Sequence, residues 1–535
     1  MTSSNDPQLR RLVYGVIWPG FIGTTVPAWL SDALADGLAG VLYFSHNIDS
    51  ERQLADLSRA VHQAGPQALI GIDEEGGTVT RLDAGQGSFT PGNAALGRID
   101  DVDATRAVAA GLALRLREAG IDINLAPVAD VNVNPANPVI GLRSFGASTE
   151  LVARHTVAAS EGFQSAGIAA CAKHFPGHGD VAVDSHLDLP VTDIRPDALA
   201  AVHLPPFRAA VGASIQAVLT AHIRIPAFGE LPATLNPDIL RLLRDDGFTG
   251  VIISDALDMA AIRHRWGAGP GAVLALQAGV DLLCVGNPTN LGPKGGSTSD
   301  EADFHEVADA LFGALDDGSL DRGTLERATA RLERLRNWLG EARAMSQLDR
   351  RPVNDGELLR FSDRALRCTG QVGLTADRAV VIDSRLERSI VSDPGQDVFI
   401  AALAQRIQLE GTGYTGHADT IVITDAARPT PEQRSMLADV LVDHPTAVLV
   451  AAGPESGGPE GGNTESAGPE SGGESGGPDG GDGSLFTEIG FSRIIECFGA
   501  SRSTGEAVAQ RLVPLHAAEP ELSGADSSSQ PRHRK

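Results

Sequence analysis

The sequence predicts an α/β protein built as a (β/α)8 TIM-type barrel, followed by a smaller α/β sandwich domain. Three observations lead there. Over roughly the first 300 residues, short apolar β-branched runs alternate with amphipathic segments of helical period. The number of those runs matches the eight parallel strands that a closed barrel needs. Past about residue 350 a second, shorter series of such runs begins.

The barrel strands are expected at LVYGVIW (12–18), AGVLYFS (39–45), ALIGID (68–73), DINLAP (122–127), IAACAKH (168–174), QAVLTAH (216–222), TGVIIS (249–254, closed by Asp255) and DLLCVG (281–286). Between them lie helical patterns such as VDATRAVAAGLALRLREAG (102–120) and LVARHTVAASEGFQSAG (151–167). Residues 301–345 read as two helices, the second strongly charged. The barrel is therefore expected over 8–345 and the second unit over 352–518. The second unit's strands fall at AVVIDS (379–384), DTIVITDAA (419–427), TAVLVAAG (446–453) and RIIECFG (493–499). Its segment 453–483, made of Gly, Pro, Ser and acids, cannot bury enough apolar surface to offset ordering. It is expected to be a disordered acidic insert, and 519–535 a disordered tail.

Bulk composition narrows the partners. A formal net charge of −26 repels nucleic acid and anionic membrane surfaces. No apolar stretch reaches the ~18 residues of a membrane span, and the N-terminus lacks a leader-like apolar core, so a cytoplasmic protein is expected. The four cysteines, Cys171, Cys284, Cys368 and Cys497, form no CxxC pair, and buried thiols are expected rather than disulfides or zinc ligands.

A barrel carries its chemistry on the loops that follow its strands. Here that face is loaded: Asp73-Glu74-Glu75 after the third run, Asp130 and Arg143 after the fourth, Lys173 and His174 at the end of the fifth, His222 ending the sixth, Asp255 ending the seventh. The densest segment runs from Lys173-His174-Phe175-Pro176-Gly177-His178-Gly179-Asp180 through Asp184-Ser185-His186. It supports three readings. It is a Gly/Pro turn with histidines bonded to backbone, or a metal site using His174, His178, Asp180 and His186, or an acid/base unit in which Asp184 orients His186. Two residues apart on an extended loop, those two side chains share a side, and imidazole can give and take a proton in one turnover. Asp255 directly follows an apolar run, where a carboxylate costs desolvation energy unless it meets donors or a ligand. It reads either as the N-cap of a helix through Leu257–Ile262 or as a nucleophile.

In this order, Ile72-Asp73-Glu74-Glu75-Gly76-Gly77, Arg143-Ser144-Phe145-Gly146, Lys173 through Gly179, Asp184-Ser185-His186 and Ser254-Asp255-Ala256-Leu257-Asp258-Met259 resemble glycoside hydrolase family three, in its β-N-acetylglucosaminidase (β-N-acetylhexosaminidase) branch. The likeness covers roughly residues 10–340, and 352–510 resemble more weakly the sandwich domain that often follows. The resemblance implies a retaining glycosidase for terminal β-N-acetylglucosamine, with peptidoglycan fragments as the expected substrates, needing no cofactor. It assigns Asp255 as nucleophile, His186 as acid/base, Asp184 as its orienting partner, and Asp73, Arg81, Arg143, Lys173 and His174 as sugar-binding residues. Thr78 stands where that branch usually carries arginine. A neutral imidazole does not repel an anionic acceptor, so a phosphorylase using the same dyad is an alternative, as is a metal-dependent hydrolase using the histidine-rich loop.

Overall fold

The computed structural model describes residues 6–135, 137–181, 188–289, 299–346, 353–376, 378–385, 398–410, 418–424, 431–453 and 485–513. The insert expected at 453–483, apart from Gly453, and the tail at 519–535 lie outside them.

Eight short parallel strands form a curled sheet. They are β1 (Ile17–Pro19), β2 (Gly40–Tyr43), β3 (Leu69–Ile72), β4 (Ile123–Asn124), β5 (Ala169–Phe175), β6 (Ala217–Thr220), β7 (Val251–Ile253) and β8 (Leu283–Gly286). Strands β2 to β7 pair consecutively in one sheet and β1 pairs with β8. An Ile253–Leu282 bridge ties β7 to the start of β8. Between the β1 and β2 segments the link is an Ala39 N–H bond to the carbonyl of Tyr14, 2.9 Å.

The expected first strand is corrected at its start. Residues Pro7–Tyr14 form a helix, and only Ile17–Pro19 pair as strand. Asp6 caps that helix by accepting from the amides of Gln8 and Leu9, and Pro7 sits in its first turn. These are strong start signals. The apolar run 12–18 straddles the Gly15 cap, so hydrophobicity alone could not place the boundary.

Alternation along the strands sends one set of side chains inward. Trp18, Leu42, Leu69, Ile123, Cys171, Leu219, Val251 and Cys284 form a buried interior cluster, which Leu332, Leu335 and Leu339 of the helix Arg322–Met345 join. That helix is pinned near the beginnings of β8 and β4 by Arg331–Asp281 (2.8 Å) and Arg343–Asp122 (2.9 Å). One end of the curled sheet is thereby closed by packing. Functional groups are left to the other.

The second sheet has the order β11-β10-β12-β13-β14-β9, with β9 at Arg367–Thr369, β10 at Arg378–Asp383, β11 at Gln408–Glu410, β12 at Asp419–Thr424, β13 at Val448–Ala451 and β14 at Ile494–Glu496. Strands β10 to β14 pair in parallel; β9 pairs antiparallel with β14. Ile421, Ile423, Val448 and Val450 pack on one side with the helix Arg502–Leu512, while Val422, Leu449 and Ala451 pack on the other with Leu437 and Phe486. A sheet covered on both faces reads as continuous apolar runs, which is why these strands were visible. The short edge strands β9 and β11, which carry few apolar residues, were not. Cys171, Cys284 and Cys497 are buried thiols and Cys368 is exposed.

Candidate active site

The site is built at the carboxyl ends of β3 to β7. Asp73 follows β3, and its carboxylate is met by Lys173 Nζ from β5 and by Arg81 Nη2 at 3.4 Å. Lys173 also contacts Glu75 Oε1 at 2.5 Å. Glu75 in turn receives Nε and Nη2 of Arg143 at 3.0 and 2.7 Å, while Arg143 Nη1 donates to the Val139 carbonyl at 3.1 Å. Arg143 Nη2 stands 3.4 Å from His174 Nε2, and His174 Nδ1 lies 2.7 Å from Asp130 Oδ2. One network therefore joins Asp73, Arg81, Lys173, Glu75, Arg143, His174 and Asp130.

Its electrostatics follow from burial and partners. Burial alone would raise the Glu75 carboxyl, but the Arg143 and Lys173 charges outweigh it and hold it well below the usual carboxylate range. Asp130 behaves likewise: burial opposes ionisation, and His174 beside it, with the His178 amide donating at 2.7 Å, lowers it. Glu74 has no cation in ion-pair contact among the described residues. Its Oε2 accepts from the amides of Arg81 (2.7 Å) and Leu82 (3.0 Å), yet desolvation dominates and pushes it up to about 7. Burial and the nearby His174 push His178 down to about 4, so its ring is neutral at neutral pH.

Asp255 sits just beyond β7, partly buried. Its amide donates to Thr220 Oγ1 of β6 at 3.2 Å, and its Oδ1 accepts from the Ala256 amide at 2.8 Å. The carbonyl of Ala256 meets His222 Nε2 at 2.8 Å, and His222 Nδ1 meets Thr234 Oγ1 at 2.8 Å. The end of β6 thus holds the turn that presents Asp255. The capping alternative does not stand: the short helix at Ala260–Arg263 has Met259 at its cap position, four residues after Asp255, whose carboxylate bonds the Ala256 amide instead. The Asp255 charge is close enough to act on both His178 and Cys284, and Cys284 also feels Asp73. Asp255 therefore shares one electrostatic neighbourhood with the network.

Of the residues singled out in the sequence, Asp73, Arg81, Arg143, Lys173 and His174 come together, with Asp255 facing the same end. Asp184 and His186 lie outside the described residues. Of the four proposed metal ligands, His174 is committed to Asp130, and its ring centre lies 5.7 Å from that of His178. Among the described residues no group of three or more His, Cys, Asp or Glu side chains is arranged to hold a metal. Glu75 and Asp130 are the structural hubs that sequence reading noticed without assigning a role. Their signal was the cost of a carboxylate beside apolar strands; their partners were not readable.

A family profile described as the glycosyl hydrolase family 3 N-terminal domain matches residues 23–335. A protein named β-hexosaminidase A from Pseudoalteromonas piscicida is 35% identical over 314 residues; the match covers 54% of this chain and 52% of that one, so the chain spans about half the length of this relative. One named β-hexosaminidase from Stenotrophomonas maltophilia is 38% identical over 282 residues, covering 50% of this chain and 82% of that one. Among solved structures, a family 3 β-N-acetylglucosaminidase from Paenibacillus superposes with a TM-score of 0.75 at 26% identity, over 95% of this chain and 97% of that one.

Proposed function

The chain belongs to glycosyl hydrolase family 3, and on that premise we propose that it is a retaining β-N-acetylhexosaminidase removing terminal non-reducing β-N-acetylglucosamine, with peptidoglycan fragments as its natural substrates. The observation that carries the reading is the convergence of Asp73, Lys173, Arg81, Arg143 and His174 beside Asp255 at one end of the curled sheet. In this reading the sheet acts as a (β/α)8 barrel whose strand-end loops hold the sugar.

Asp73 accepts from sugar hydroxyls, while Lys173, Arg81, His174 and the remaining N–H groups of Arg143 donate. The Asp255 carboxylate attacks the anomeric carbon as His186 protonates the departing glycosidic oxygen, forming a glycosyl ester. His186, now neutral, takes a proton from water as that water attacks the same carbon and frees Asp255. Asp184 holds the imidazole and stabilises its charged form. The names of the two β-hexosaminidase relatives support the sugar class.

Trapping with a 5-fluoro N-acetylglucosaminyl fluoride, which keeps the 2-acetamido group, then peptide mapping, tests this directly. The label belongs on Asp255; a label on another carboxylate, or none while a β-glucoside is cleaved, removes the proposal. Running turnover with and without inorganic phosphate, with assay for sugar 1-phosphate, separates hydrolysis from phosphorolysis.

A further inference from the structure

The second unit touches the first where two sugar-cradle residues are supported. The loop from Glu74 to Gly92 carries Arg81, and the helix Asn93–Ile99 follows it. Asn93 Nδ2 donates to the Arg143 carbonyl at 2.7 Å, and a side chain at Gly97 would overlap the Phe145 carbonyl at 1.8 Å, so the helix lies directly on the Arg143–Phe145 segment. Within the loop, Gly77 packs against Gly92, and a side chain at Gly76 would stand 2.6 Å from Thr90 Oγ1. The far end of the loop, 86–90, is thus folded back against the turn that follows Asp73.

The segment Phe498–Arg502 of the second unit presses on both supports. The Arg502 amide donates to the Ser88 carbonyl at 2.7 Å, its Nη1 lies 3.3 Å from Gln86 Oε1, and its guanidinium carbon sits 4.6 Å from the centre of the Phe89 ring. Phe498 lies under Arg98 of the supporting helix, guanidinium carbon to ring centre 5.3 Å. Behind Arg502, Ser503 shares a buried hydroxyl pair with Ser362 at 2.7 Å, which ties the segment to the helix Asp355–Ala365. A cation seated on an aromatic face and partly withdrawn from water is a directional contact, not simple apolar filling.

We propose that Arg502 is a positioning residue: by clamping Gln86, Ser88 and Phe89 it holds the Arg81 loop in the geometry that grips the sugar, so the second unit sets substrate affinity without touching substrate. The sugar part of this rests on the proposed hexosaminidase activity; the clamp itself does not.

The test uses the full chain with Arg502→Ala, Arg502→Lys and, as a control, Arg364→Ala, which removes the exposed Arg364–Asp101 pair between the units (3.0 Å) away from the loop. Hydrogen exchange over peptides spanning 74–92 is measured beside steady-state kinetics on a chromogenic N-acetylglucosaminide, with melting temperature as a folding check. Arg502→Ala should speed exchange at 74–92 and raise KM about three- to tenfold with kcat within about twofold, Arg502→Lys should fall between it and the parent, and Arg364→Ala should match the parent. Unchanged exchange in Arg502→Ala overturns the clamp, whatever the activity. Faster exchange with an unchanged KM, or an equal KM rise in Arg364→Ala, overturns the link to affinity. A parent that binds and turns over no N-acetylglucosaminide defeats the activity reading alone, because the exchange result still decides the clamp.

Discussion

Glu75 and Arg143, sixty-eight residues apart, close a two-point ion pair at 2.7 and 3.0 Å with both side chains nearly sealed from solvent. Lys173 contacts the same carboxylate. Lys173 and Arg81 also meet Asp73, so three cations face the three carboxylates of Asp73, Glu75 and Asp130, and the network is close to balanced in charge.

Breaking that pair should be costly. Arg143→Ala leaves a buried carboxylate with Lys173 as its one remaining cation, and a loss of about 3–5 kcal/mol in unfolding free energy is expected. Arg143→Lys restores charge without the two-pronged geometry, so it should recover only part of that. Urea unfolding measures both; a loss under about 1 kcal/mol for the alanine variant contradicts the account.

Glu74 predicts a pH dependence of stability. Its carboxyl is raised from 4.5 to about 7 by burial, so the folded state binds the proton more tightly than the unfolded chain. That contribution is full below about pH 4.5 and is lost as pH rises through about 7, a change on the order of 3 kcal/mol. Glu74→Gln keeps an acceptor for the Arg81 and Leu82 amides and removes the ionisation. Its unfolding free energy between pH 5 and 8 should be flatter than the parent's, and parallel curves would refute the assignment.

The proposed catalytic roles separate by chemistry. Asp255→Ala should lower kcat by a factor of about a thousand or more with little change in melting temperature, because it removes the attacking group from a part-exposed position. Azide should rescue it as an α-glycosyl azide. His186→Ala should cripple turnover less for substrates with good leaving groups, where protonation matters least. Retained full activity in Asp255→Ala excludes the nucleophile role.

Gly71 tests the packing inside the curled sheet. A methyl group there would stand 2.1 Å from the Trp18 indole, whose Nε1–H bonds the Leu69 carbonyl at 2.8 Å. Gly71→Ala should therefore cost about 1–3 kcal/mol by forcing Trp18 aside, with a red shift in tryptophan emission. A neutral substitution would show that the indole moves freely.

Much of this architecture is legible in the amino-acid sequence. The alternation of apolar runs and helical segments marks seven of the eight strands of the curled sheet near their observed positions, because periodicity is a local property of the chain. The capping chemistry of Asp6 and Pro7 outweighed hydrophobicity over Leu12–Tyr14, turning an expected strand into helix. Edge strands β9 and β11 escaped because they bury little.

By itself the sequence determined which residue types stand at the strand ends, since those positions follow directly from where each apolar run stops. Only the tertiary structure decided their company: Glu75 with Arg143, Asp130 with His174, Asp255 braced by Thr220, and Arg502 reaching Ser88 from the second unit. The reason is geometric. Partners separated by tens or hundreds of residues meet only when strands curl into register and bring their ends to one rim, and no local pattern encodes that distance.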